Sequence, residues 1–310
     1  MPPEIGFQSD ALQVALKDAL AGRPAELERL LCRAGAVVTA KPNLKLAQAF
    51  GAEMAGLKGV TAPLLTRLTR EDAAPDTDRA FLPIAAAHGW AGRIRARREV
   101  EPAWAALFEL AADERAPVRR GVHEALLPLA ARPRRGRSQP SGADQLIARA
   151  AAWLDEEDRE TRFGAAAVAV AVLADRRVLS AVVDTEAMLA YLSRLIAEVA
   201  GAPRASERSD ARRRLLQALP ATLAAVAAVL RVGDRGALWL EQECAAARHP
   251  DVRGALSDAV IALRSQPAGA SGEAPAQRLR EVLKASAKPP RDPTRIRPGT
   301  GRGKASRRIS

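Results

Sequence analysis

The chain has 310 residues and a formal net charge of +12, and 48% of its residues are apolar but only 3% aromatic. That length suits a row of repeated units better than one compact core. The alanine- and leucine-rich apolar set loses little side-chain entropy in helices and excludes a sheet-based architecture. The longest uncharged stretches, Phe163–Ala174 and Leu215–Leu230, fall short of the ~20 residues a spanning helix needs, so no membrane insertion is expected.

In chain order, Met1–Asp10 has two prolines and a glutamate, with no basic start and no apolar run. No signal peptide is expected, and the reading is a cytoplasmic protein. Cys32 and Cys244 are far apart, each within a helical pattern, and read as small buried hydrophobes in a reducing compartment. Residues 9–71 carry helical spacing at Leu12, Leu16 and Leu20, at Leu27, Leu30 and Leu31, and at Leu44, Leu46, Phe50 and Met54.

From residue 78 onward a repeat emerges. Counting from Val118, apolar residues fall at offsets of four, seven, eight and eleven: Val122, Ala125, Leu126 and Leu129. The same offsets from Thr161 give Ala165, Val168, Ala169 and Val172; from Ala211, Leu215, Ala218, Leu219 and Thr222; from Val252, Leu256, Ala259, Val260 and Leu263. A weaker copy starts at Asp78, with Leu82, Ala85, Ala86 and Gly89. This is one face of a helix with 3.6 residues per turn. An arginine follows the first position each time, at 79, 119, 162, 212 and 253, with separations of 40, 43, 50 and 41. An amphipathic helix precedes three of these starts, in 102–112 with Trp104, in 144–154 with Trp153, and in 236–247 with Trp239. Each unit therefore reads as helix, turn, helix. The spacing of 50 implies a longer loop, assigned to Gly201–Ser209.

Beyond the last unit, Gln266–Ala274 has the Gly, Ala, Ser and Pro content of a linker, and Ala276–Ser286 has the spacing of one short helix. The domains are thus 1–265 as the repeat region, clearest over 78–265, then 266–286 as linker with a short helix, then 287–310 as a disordered basic tail. From Lys288 to the end there are eight Lys/Arg and one acid, so most of the excess charge is local. Within the tail, Gly299–Lys304 lacks the glycine spacing and the Ser/Thr of a phosphate loop.

The segments DERAPVRRGVHEALLPLA (113–130) and RHPDVRGALSDAVIAL (248–263) resemble the turn and second helix of HEAT repeats, in which a turn Asp, a Pro and Val-Arg precede an Ala/Leu-rich helix. The resemblance implies an all-α, right-handed α-solenoid of stacked antiparallel helical hairpins. It also implies that Asp113 and Arg119 bond between adjacent repeats, with Arg162 and Arg253 in equivalent stacking roles. The unit at 161 departs from the pattern in lacking the proline, and the unit at 211 has Pro220 inside its helix. A HEAT-like motif specifies architecture and leaves function to the surface.

No converging catalytic set is legible. His88, His123 and His249 are widely spaced and belong to no metal-ligand motif, and there is no C-x-x-C and no G-x-S-x-G. No catalytic residue, metal, cofactor or small-molecule substrate is assigned. Three arginine clusters are candidate contacts for an acidic partner: Arg93, Arg95, Arg97 and Arg98; Arg132, Arg134, Arg135 and Arg137; and Arg204, Arg208, Arg212, Arg213 and Arg214. The first two lie at helix ends and would form one basic ridge if the units stack in register. The alternative is that these arginines cap helix C-termini and keep loops hydrated. The leading functional expectation is a non-enzymatic scaffold that binds a protein partner. The second is a nucleic-acid-binding solenoid using the ridge and tail. A third is a DNA-alkylation-repair-type glycosylase, a family built on HEAT-like repeats, which would need aromatics and carboxylates such as Trp104 with Asp113, or Trp153 with Asp155, on its concave face.

Overall fold

The computed structural model describes residues 9–35, 41–134, 136, 139–229, 235–264 and 273–287. Among the described residues all regular structure is helical and no strand occurs. The helices are α1 (Ser9–Leu20), α2 (Ala25–Gly35), α3 (Leu44–Gly56), α4 (Ala62–Thr69), α5 (Phe81–Arg95), α6 (Val100–Ala112), α7 (Ala116–Ala130) and α8 (Gly142–Trp153). They continue with α9 (Arg159–Leu173), the single turn α10 (Arg176–Leu179), α11 (Thr185–Ala200), α12 (Asp210–Val229), α13 (Arg235–Ala246), α14 (Pro250–Arg264) and α15 (Glu273–Ser286). None of them is long and apolar enough to cross a membrane.

Short polar side chains set the helix starts. Asn43 accepts from the Leu46 amide, Asp158 from the amides of Glu160 and Thr161, and Asp184 from that of Ala187. Ser141 and Asp144 form a reciprocal capping box at α8. Proline occupies the first turn of α4 and α7, where no intrahelical donor is lost.

The periodic positions face inward. Of the residues that define the repeat, only Asp78, Thr161 and Ala218 are not buried. The helices that carry them pack side by side: α5 touches α3 and α7, α9 touches α7 and α12, and α12 touches α14. The preceding helices cover this row. Helix α6 packs on α5, α7 and α9; α8 packs on α7, α9 and α11; α13 packs on α11, α12 and α15. Trp104 of α6 and Trp153 of α8 meet edge to face in the interior, 6.2 Å apart, and Phe108 stacks on Trp153 at 5.4 Å.

Helix α5 is buried along its whole length from Phe81 to Ile94. Its approach to α3 is backbone to backbone. A Cβ on Gly92 would lie 2.2 Å from the Gly51 carbonyl oxygen, and one on Gly51 would lie 2.5 Å from the His88 carbonyl oxygen. Glycine is thus the only residue that fits at either point. In the same helix Trp90 donates from Nε1 to Thr69 Oγ1 at 3.0 Å, and Thr69 in turn donates to Leu65 O.

The wide spacing between Arg162 and Arg212 has two sources. The turn 201–209 is long, as expected, and contains a 3-10 segment at Arg204–Arg208. In addition α11 runs 16 residues against 12 in α8. The end of the chain folds further than a linker would, since α15 begins at Glu273 and packs against both α13 and α14. The tail from 288 and most of the linker, 265–272, lie outside the described residues.

Candidate binding surface

Four of the five recurring arginines, Arg119, Arg162, Arg212 and Arg253, share one bonding habit. Each sits in the first turn of the second helix of its unit and reaches back to the carbonyl end of the first. Arg119 donates to the carbonyls of Asp113 and Glu114 at 2.7 and 2.6 Å. Arg162 donates to Leu154 O at 2.8 Å, Arg212 to Val199 O at 3.3 Å and Arg253 to Ala247 O at 3.4 Å. A helix C-terminus leaves carbonyls without donors and carries partial negative charge, which a guanidinium satisfies on both counts. Three of the four also reach forward. Arg162 faces Glu198 of α11 at 3.6 Å, Arg212 pairs with Asp251 of α14, and Arg253 bonds Leu283 O at 2.7 Å and Ser286 Oγ at 2.6 Å in α15.

The expected link through Asp113 and Arg119 is made differently. Arg119 closes its own turn, and the reach to the preceding unit comes from Arg115. Asp113 holds the Arg115 guanidinium at 2.6 and 2.9 Å, and Arg115 Nη1 then meets the carbonyls of Glu71 and Ala73 at 2.8 and 3.0 Å. Arg79 departs from the habit, bonding the carboxylate of Glu71 at 2.5 Å.

Carboxylates complete the stitching. Glu99 accepts from the amides of Thr61 and Ala62 at 3.0 and 2.8 Å and so caps α4. Asp144 accepts from the amides of Val183 and Asp184, both at 3.0 Å, ahead of α11. Glu160 accepts from the Ala211 amide at 3.1 Å and from the Ser209 hydroxyl, at the start of α12. Burial pushes the Glu99 and Asp144 carboxyls up, but these donors, with Arg93 beside Glu99, outweigh it and hold both below the usual carboxylate range. Only the Ser141–Asp144 spacing was a sequence signal for any of them; the long-range bonds leave none.

Two of the arginines expected to meet an acidic partner are interior groups, which corrects that expectation. Arg93 is 1% exposed and donates to Glu99, Met54 O, Leu57 O and Gly59 O. Arg212 is 2% exposed and held by Asp251. Arg98 is half-buried and donates to Leu57 O, and Arg213 pairs with Asp210. Arg214 is half-buried, with its Nε unpartnered. Arg135, Arg137 and the side chain of Arg204 lie outside the described residues.

Of the remaining members of the first two clusters, Arg97 and Arg132 come together. Arg95 and Arg97 leave the end of α5 and are exposed; Arg132 and Arg134 leave the end of α7. Arg97, Arg132, Gln139 and Gln145 line one cleft between these ends, and Arg97 donates to Gln139 Oε1 across it. Arg97 and Glu99 both have left-handed backbone, at φ 57° and 47°. This tight turn swings the Glu99 carboxylate back to Thr61 while leaving Arg97 outside. Non-glycine residues hold that conformation only where surrounding bonds fix it.

The histidines have separate surroundings. His88 is buried in α5 with Nε2 unpartnered, and burial, aided by Arg95, depresses its pKa to about 4. His123 lies 3.6 Å from Glu124, and His249 Nδ1 accepts from the Asp251 amide at 3.3 Å. Both cysteines are free thiols, and burial pushes that of Cys244 up to about 11. Among the described residues no group of three or more His, Cys, Asp or Glu is arranged to hold a metal.

No family model, curated protein or solved structure matches this chain. The geometry alone carries its functional reading.

Proposed function

We propose that the chain is a HEAT-like α-solenoid that acts as a non-enzymatic scaffold for a protein partner. The observation that carries this reading is the repeated arginine device. Arg162, Arg212 and Arg253 each bind the carbonyl end of their own unit and a group on the unit that follows. Units joined by the same bond in the same place build a quasi-one-dimensional stack, in which each unit contacts its neighbours and the outer faces form an extended surface. Such surfaces commonly serve binding, because they offer length and curvature in place of a deep pocket.

The tryptophans bear on the glycosylase alternative. Trp104 and Trp153 pack against each other in the core and do not line a surface, so the scaffold reading takes precedence over the enzyme. Affinity capture with the full chain, followed by cross-linking and mass spectrometry, tests the scaffold reading. Cross-links from one partner protein spread over several units support it. Reproducible absence of any cross-linked partner, or cross-links confined to the tail beyond 287, would remove it.

A further inference from the structure

We infer that the edge formed by Arg95, Arg97, Arg132 and Arg134 is a nucleic-acid phosphate-backbone surface, a second binding activity separate from the protein partner proposed above. Residues 93–98 and 132–137 hold eight arginines and no acid. The structure divides them. Arg93 and Arg98 bond inward to the carbonyls around Leu57, whereas Arg95, Arg97 and Arg134 are exposed. No described carboxylate lies within ion-pair reach of these three, and Arg97 touches only the neutral amide of Gln139. The acids on the adjoining turns are already engaged, Glu101 by Arg149. Glu99 is held by Arg93, Thr61 and Ala62, and Asp144 by backbone amides. Arg95, Arg97 and Arg134 therefore keep their positive charge.

The packing of α5 against α7 brings Arg97 and Arg132 to one cleft, with Arg95 and Arg134 two residues away along the chain on either side. Backbone donors at Ala96, Arg97, Ala131 and Arg132 already meet the carbonyls of Gly92, Ile94, Leu127 and Leu129 at these two helix ends. A phosphate ester suits the planar, forked guanidinium donors. The edge also lacks what a protein interface uses. No exposed aromatic occurs among the described residues, and the exposed aliphatics that flank this region are two single valines, Val60 and Val183. Charge without aromatic anchors is the pattern of sequence-independent backbone binding.

The test is fluorescence anisotropy of a labelled 20-base-pair duplex with the full chain at 50 and 200 mM salt. The wild-type protein should bind at 50 mM and weaken steeply at 200 mM. The triple variant R95Q/R97Q/R134Q should bind on the order of 100-fold more weakly at 50 mM, and its log–log salt slope should fall by about three. The double variant R95Q/R134Q leaves the Arg97–Gln139 bond intact and should lose about two units of slope with unchanged circular dichroism. R302Q/R307Q/R308Q, in the tail, should change binding less than either. Absence of binding at 50 mM, ridge variants that bind like wild type, or loss confined to the tail variant would each overturn the inference. So would displacement of the duplex by polyglutamate as readily as by unlabelled duplex at equal charge, which would assign the edge to an acidic protein. None of these outcomes depends on the capture experiment, so the two proposals fail separately.

Discussion

Arg93 Nε stands 2.7 Å from Glu99 Oε2, and the two side chains together tie the end of α3, the loop at 57–61 and the start of α4 to the end of α5. A buried charge held by four hydrogen bonds is stable only while its partners remain. Arg93→Ala strands the Glu99 carboxylate and three carbonyls, and should cost about 3–5 kcal/mol in urea unfolding. Glu99→Gln should cost less and should flatten the acid limb. The folded Glu99 carboxyl is depressed, so its contribution is present above the unfolded value and lost as pH falls through the folded one. An Arg93→Ala protein as stable as wild type would show that this pair does not hold the segments together.

The α3–α5 crossing should be intolerant of one methyl group. Gly92→Ala places carbon 2.2 Å from the Gly51 carbonyl oxygen, where neither backbone can yield without shifting a helix. Overpacking of this kind costs about 1–3 kcal/mol. Gly56→Ala, at the end of α3 with nothing within 4 Å of the added carbon, should be neutral or slightly stabilising. Thermal denaturation of the two variants side by side checks the contrast.

His88 should give the fold a specific acid sensitivity. In the unfolded chain its imidazole takes a proton near pH 6.5, whereas the folded protein holds it neutral to about pH 4. Folding therefore excludes a proton across that window, and stability should fall as pH drops below 6.5, by up to about 1.4 kcal/mol per unit. His88→Met should remove this slope between pH 6.5 and 5, above the carboxylate range. A slope unchanged in the variant would place the sensitivity elsewhere.

Arg253 anchors the last helix. Its guanidinium bonds Leu283 O and Ser286 Oγ, and the chain has no further described helix to cover α15. Arg253→Ala should speed amide hydrogen exchange throughout α15 while leaving α3 and α5 protected. Uniform loss of protection would mean that the helices open as one unit and not end first.

The helical class and the inward faces of α5, α7, α9, α12 and α14 were legible because they rest on local propensity and on spacing within one helix. The surface residues were less so. Arg93 and Arg95 are indistinguishable as letters in a run of arginines, yet one is interior and the other exposed. The difference arises from the end of α3 and the loop after it, more than 30 residues away, where Met54, Leu57 and Gly59 offer three carbonyls to one of them. Asp113 orients Arg115, while Arg119 bonds back to the carbonyls of its own turn.

Alanine and leucine at helical spacing are enough to commit this chain to α-helices and to mark which stripe of each one avoids water, since both effects act over a few residues. Which arginines turn into the interior and which acids cap the neighbouring helix were settled only in the packed protein. Those outcomes depend on carbonyls and amides supplied from 39 to 51 residues away, and hydrogen bonds of that reach exist only once the helices are side by side.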